Sequence, residues 1–143
     1  MKKRNKLIVD YDYNFNLIGM ISPVKDYKLI WSINNQLKVR LVKNTDLILE
    51  YLNQQKLVIS NFLFETENSS LRILKNKAED GDELKKSYLL PELKNFDYFL
   101  MLEGSGDTFN ISELEGKLKN LEIIQYLTKI DVSKLKSKEN LVF

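Results

Sequence analysis

Between Leu89 and Leu102 the chain reads LLPELKNFDYFLML, and this stretch limits the available folds more than any other. Pro91 has no amide to give to a sheet ladder, so a strand here begins after it, near Phe96. One helical turn over Leu93–Asn95 fits the interval. Phe96–Leu102 is then almost continuously apolar, the pattern of a strand covered on both faces or lying mid-sheet. Asp97 and Tyr98 sit inside that run, where a carboxylate needs a partner and a phenol hydroxyl generally finds one. A structural clamp tying the strand to the turn at Pro91-Glu92 is preferred over a catalytic role.

The flanking patterns place this strand in an α+β domain. Lys6–Tyr13 alternates loosely and is rich in Ile, Val and Tyr, as a strand is. After a polar break at Asn14–Asn16, Leu17–Ile21 resumes the extended pattern, with Gly19 marking a bulge or a close backbone approach. Ser22-Pro23 has the chemistry of a helix start, and the spacing of Tyr27, Ile30, Ile33 or Asn34, and Leu37 predicts a helix over about Val24–Leu37. Leu29 and Trp31 widen its apolar face. Val39–Val42 reads as a short strand, and Leu47–Leu52 is open between strand and helix. Leu57–Thr66 and Leu71–Lys77 form a hairpin about Glu67–Ser70, and Ala78–Lys86 is a charged loop. A second helix follows Gly104–Asp107, capped by Asn110 with Glu113 or by Ser112 with Glu115, and buries Ile111, Leu114, Leu118 and Leu121. Glu122–Ile130 is a final strand. Asp131–Phe143 is a basic tail with an apolar end, which more often docks than frays. The economical layering is one domain over 1–143: a mainly antiparallel sheet of five to seven strands with two helices packed on it.

Composition removes whole classes of chemistry. The 143 residues include no Cys and no His, which excludes disulfides, thiolate or imidazole metal sites, cysteine nucleophiles and His-based triads. Any catalysis would fall to carboxylates, Lys, Tyr or Ser, and nothing signals a cofactor. The basic residues are 19 Lys and 3 Arg at a net charge of +2, and scarce Arg argues against sequence-specific nucleic-acid reading. No apolar run is long enough to span a bilayer, and Asp10 and Asp12 interrupt the signal-like N-terminus, so the expected setting is cytoplasmic with no membrane partner.

Four constellations invite functional readings. Gly104-Ser105-Gly106-Asp107 resembles a phosphate cradle but lacks the Lys-Ser/Thr of a P-loop, and a plain loop is preferred. Asp10 and Asp12 on one face of a strand could hold a divalent cation or act as acid and base, yet solvated acids on an edge strand give the same alternation. Lys2, Lys3, Arg4 and Lys6 together with Lys129, Lys134, Lys136 and Lys138 would form one positive patch if the termini meet, suited to RNA through phosphate contacts. The tail itself, Lys134, Lys136, Ser137, Lys138, Glu139 and Asn140, is the candidate partner-binding segment.

LPELKNFDY at Leu90–Tyr98 resembles the defining motif of the IPExxxVDY family, small bacterial proteins typical of the Bacteroidetes. Pro91, Glu92, Asp97 and Tyr98 match the motif; Leu90 stands for its Ile and Phe96 for its Val, apolar for apolar. The Lys25-Asp26-Tyr27 helix start and the tail segment Lys136–Asn140 are similar to family features as well. The resemblance implies a bacterial cytoplasmic setting and brings no reaction, cofactor or catalytic residue. The expectation is therefore a non-enzymatic interaction module for a protein or ribonucleoprotein partner. Direct RNA binding through the terminal lysines is the alternative, and an enzyme using Asp10, Asp12, Glu92 or Asp97 the third possibility. Nothing in the pattern selects an oligomeric state.

Overall fold

The computed structural model describes residues 13–50, 56–79, 87–104 and 109–143. In chain order these form β1 (Phe15–Ile21), α1 (Asp26–Leu37), β2 (Val42–Lys43), β3 (Leu47–Glu50) and β4 (Lys56–Ile59). There follow β5 (Asn61–Glu65), β6 (Ser69–Lys75), β7 (Tyr98–Gly104), α2 (Ile111–Lys119) and β8 (Tyr126–Ile130). A six-stranded sheet runs β2-β5-β6-β7-β1-β8 and is antiparallel at every pairing, while β3 and β4 form a separate two-stranded hairpin. The class is α+β, as the pattern predicts. The strand expected over Lys6–Tyr13 lies almost wholly outside the described residues.

β7 is interior to the sheet, paired with β6 on one side and β1 on the other. Its alternation serves two cores at once. Tyr98, Leu100 and Leu102 face a cluster with Ile18, Met20, Leu71, Ile73 and the inward residues of both helices. Phe99 and Met101 face the opposite cluster with Leu17, Leu74, Leu57, Ile59, Leu89 and Leu90. Burial on both faces is the physical reason for an unbroken apolar run. The tail completes the second cluster: Val132, Leu135 and Leu141 are buried there, so Asp131–Phe143 is packed against the sheet through two short 3-10 turns.

Three expectations need correction. α1 begins at Asp26 rather than Val24, and Ser22 is no helix cap: Lys25 holds the cap position without a side-chain bond. Ser22 instead donates from Oγ to the Ile123 carbonyl at 2.6 Å. Second, α1 buries Leu29, Ile30, Ile33 and Leu37, but Tyr27 and Trp31 point away and are each 69% exposed. Third, Leu57–Thr66 is two strands in two sheets. The chain turns at Ser60-Asn61, both buried, where the Ser60 carbonyl accepts from the Lys75 amide at 3.0 Å. Asn61 Nδ2 donates to the Thr45 carbonyl at 2.8 Å and its Oδ1 accepts from Arg72 Nη1 at 2.6 Å, so the polar pair is satisfied at the corner. The ambiguous Leu47–Leu52 resolves as a strand over Leu47–Glu50, and α2 is capped by Asn110, whose Oδ1 accepts from the Ser112 and Glu113 amides.

Candidate functional site

The Leu90–Tyr98 stretch is held at many points, most of them by residues distant in the chain. Pro91–Leu93 is a single 3-10 turn with Pro91 at its start, and the strand proper begins at Tyr98, two residues later than Phe96. The turn wraps around Asn76, which is fully buried at 0% exposure. Asn76 Nδ2 donates to the carbonyls of Leu93 (3.0 Å) and Phe96 (2.9 Å), and its Oδ1 accepts from the Leu90 amide (2.9 Å). Its main-chain amide donates to the Asp97 carbonyl and its main-chain carbonyl accepts from the Leu89 amide. No local sequence pattern marks Asn76, since its partners lie up to twenty-one residues on.

Asp97 and Tyr98 are clamped to the connection between β1 and α1, not to the turn at Pro91-Glu92. Asp97 is exposed, and its Oδ2 accepts from the Ser22 amide at 2.8 Å. The Tyr98 hydroxyl donates to the Val24 carbonyl at 2.8 Å. Burial, together with the negative charges of Asp26, Asp97 and Glu79, pushes the Tyr98 hydroxyl up to about 12. It is therefore a neutral donor at any physiological pH. Phe96 lies over Gly19: a Cβ there would stand 2.7 Å from the ring. The uninterrupted register of β1 against β7 identifies Gly19 as a close approach and not a bulge.

Glu92 joins the turn to the tail. Its Oε2 accepts from the Ser137 amide at 2.9 Å and its Oε1 from the Ser137 hydroxyl at 2.6 Å. Burial pushes the Glu92 carboxyl up, but the bonds from Ser137 and from nearby backbone amides outweigh it and hold it below the usual range. Asn140 Nδ2 donates to the Leu89 carbonyl at 2.8 Å. Two tail residues singled out for partner binding, Ser137 and Asn140, thus engage the domain itself. Lys134 sits 3.9 Å from Asp131 at the surface, Lys136 is exposed, and Lys138 lies 5.6 Å from the centre of the Tyr13 ring.

The two candidate carboxylates among the described residues, Glu92 and Asp97, do not converge. Glu92 is bound to the tail and Asp97 to Ser22, while Asp10 and Asp12 lie outside the described residues. So do Lys2, Lys3, Arg4 and Lys6 and, within Gly104–Asp107, everything but Gly104. Gly104 ends β7 at a φ of 119°, with the Asn68 carbonyl where a Cβ would go, a structural reason for a glycine there. One groove of about 580 Å³ opens between Phe15, Leu102 and the start of α2, and a second of about 320 Å³ runs past Tyr13, Phe15, Lys129 and Lys138. Neither is lined by Glu92 or Asp97. Among the described residues no group of three or more acidic side chains is placed to hold a metal ion, and no helix is long and apolar enough to cross a membrane.

The most exposed large apolar side chains of the described residues lie elsewhere, on α1. Tyr27 and Trp31 are one helical turn apart on its outward side and more exposed than the other large apolar residues of the described surface. Sequence reading places them in the core because aromatic residues at helical spacing usually belong there. The signal that separates them is the neighbouring set Leu29, Ile30, Ile33 and Leu37, which already makes a complete inward stripe. No family model matches the chain, and no curated protein or solved structure matches it significantly.

Proposed function

We propose that this chain is a non-enzymatic interaction module of the bacterial cytoplasm, holding a protein or ribonucleoprotein partner through the outward face of α1. The observation that carries the reading is the pair Tyr27 and Trp31, each 69% exposed. Large aromatics in water are the residue types that anchor interfaces, and an exposed apolar patch is more informative than a buried one. The resemblance of LPELKNFDY to the IPExxxVDY motif belongs to the same reading. Pro91, Glu92, Asp97 and Tyr98 each have an internal task, so the motif is the signature of a fold rather than of a reaction.

The test is affinity capture from the native cytoplasm with the wild-type chain and a Tyr27→Ala/Trp31→Ala variant, with and without ribonuclease, read by mass spectrometry. Substitutions at such exposed positions leave stability within about 0.5 kcal/mol. The expected result is a protein retained by the wild type and lost by the variant; the same catch from both would end the reading. A second reading, RNA binding, is favoured by one observation: Lys129 and Lys138 line one groove with the rings of Tyr13 and Phe15. Under it, affinity for single-stranded RNA falls steeply with salt, and Lys129→Ala/Lys138→Ala flattens the slope. Binding that ignores salt would dismiss it.

A further inference from the structure

Resting on the reading of α1 as the docking face, we infer that its partner is an acidic protein segment that sets apolar side chains against Tyr27 and Trp31. At 100° per residue, Tyr27, Lys28, Trp31 and Asn35 form a stripe along one side of α1, opposite the buried Leu29, Ile30, Ile33 and Leu37, and Lys38, the left-handed residue that ends the helix, follows at its C-terminus. All five are exposed. The one carboxylate of the helix, Asp26, is off the stripe and its Oδ1 accepts from the Tyr27 amide at 2.6 Å. Two rings with one ammonium group beside them at Lys28 and another past the helix end at Lys38, and no acid among them, make a surface whose complement is negative and apolar. Lys28 and Lys38 are about 15 Å apart along the axis at 1.5 Å per residue, the reach of a short helix or strand.

The neighbouring surface limits what can dock. α2 lies beside α1, joined to it by Gln36 Nε2 donating to the Lys117 carbonyl at 2.9 Å. Its exposed side mixes Glu113 with Lys117 and Lys119, and exposed Glu122 follows. On the α2 side the stripe therefore meets mixed charge, while Lys25 and Arg40, both exposed, carry positive charge past the two ends of α1. A nucleic-acid backbone asks for cations along its whole length, which Glu113 and Glu122 interrupt on the α2 side, whereas a short acidic peptide asks for a few. Complementary charge of this kind steers encounter and sets partner choice, while the buried rings supply the affinity.

Trp31 is the single tryptophan of the chain, so its fluorescence reports on this face alone. The full-length chain is titrated with a short acidic peptide carrying leucines at helical spacing, with its charge-reversed lysine analogue, and with poly-uridine. The expected result is a blue shift with the acidic peptide only. That binding weakens roughly tenfold in Lys28→Glu/Lys38→Glu and again on raising salt from about 50 to about 300 mM. Equal shifts from acidic and basic peptides would overturn the acidic assignment while leaving α1 as a docking face. A shift with poly-uridine alone would overturn it in favour of nucleic acid. No shift with any probe would overturn it outright, and the capture comparison above then decides the docking reading separately.

Discussion

Replacing Asn76 with Ala removes the post around which the Leu90–Tyr98 turn is wound. Three side-chain bonds disappear, to the Leu90 amide and to the Leu93 and Phe96 carbonyls. Their costs differ. The Leu93 carbonyl keeps a second donor, the Phe96 amide at 3.0 Å, so its loss is small. The Leu90 amide belongs to a fully buried residue, and both it and the Phe96 carbonyl lose their side-chain partner. Leaving the buried Leu90 amide unsatisfied at roughly 1–3 kcal/mol, with smaller terms for the part-buried Phe96 carbonyl and the shared Leu93 carbonyl, gives a loss of about 2–4 kcal/mol. That is a large part of the roughly 5–15 kcal/mol that holds an ordinary domain together. Thermal melting followed by circular dichroism should fall by roughly 10–15 °C. Asn76→Asp separates donors from shape, because it keeps the oxygen that accepts from Leu90 but turns a carboxylate towards two carbonyls. Its deficit should exceed that of Ala at neutral pH and shrink when the carboxyl is protonated. A loss under about 1 kcal/mol for Asn76→Ala would mean that the turn does not depend on Asn76, since an orphaned buried amide costs more than that.

Three further outcomes follow from the same contacts. Glu92, held below its ordinary value by Ser137, contributes stability that is present above the usual carboxylate range and lost as pH falls through its folded value. Ser137→Ala should return the Glu92 titration, followed by carboxyl-carbon NMR, towards the ordinary value; an unmoved titration contradicts the pairing. Tyr98, raised to about 12, contributes stability that is complete below the unfolded tyrosine value near 10 and lost as pH climbs through about 12. Tyr98→Phe should remove the most alkaline step from a tyrosinate absorbance titration and lower stability by about 1 kcal/mol. Gly19→Ala should cost about 1–3 kcal/mol in urea unfolding, because its methyl group displaces the Phe96 ring; an unchanged midpoint counts against that packing.

Much of the architecture is legible in the sequence wherever the signal is local. The apolar run after Pro91 announces an interior strand, and Asn110 announces the start of α2, because periodicity and capping act over a few residues. The antiparallel hairpin of β5 and β6 follows from the polar turn between two β-rich runs. What stays hidden depends on partners far along the chain. Ser22 resembles a helix cap until Asp97 and Ile123, 75 and 101 residues away, are seen to claim its amide and hydroxyl. Ser60-Asn61 interrupts an apolar run with two polar residues, which in hindsight mark the corner between two sheets. Tyr27 and Trp31 illustrate a different failure: hydropathy alone does not separate a ring that feeds the core from one that stays in solvent.

Under the proposed division Pro91–Tyr98 braces the fold and α1 makes the contact, and hydrogen exchange read by mass spectrometry on the chain, free and with its captured partner, tests that division directly. It predicts that binding slows exchange over Tyr27–Lys38 and leaves Leu90–Tyr98 unchanged. Protection gained at Leu90–Tyr98, with none along α1, would contradict it.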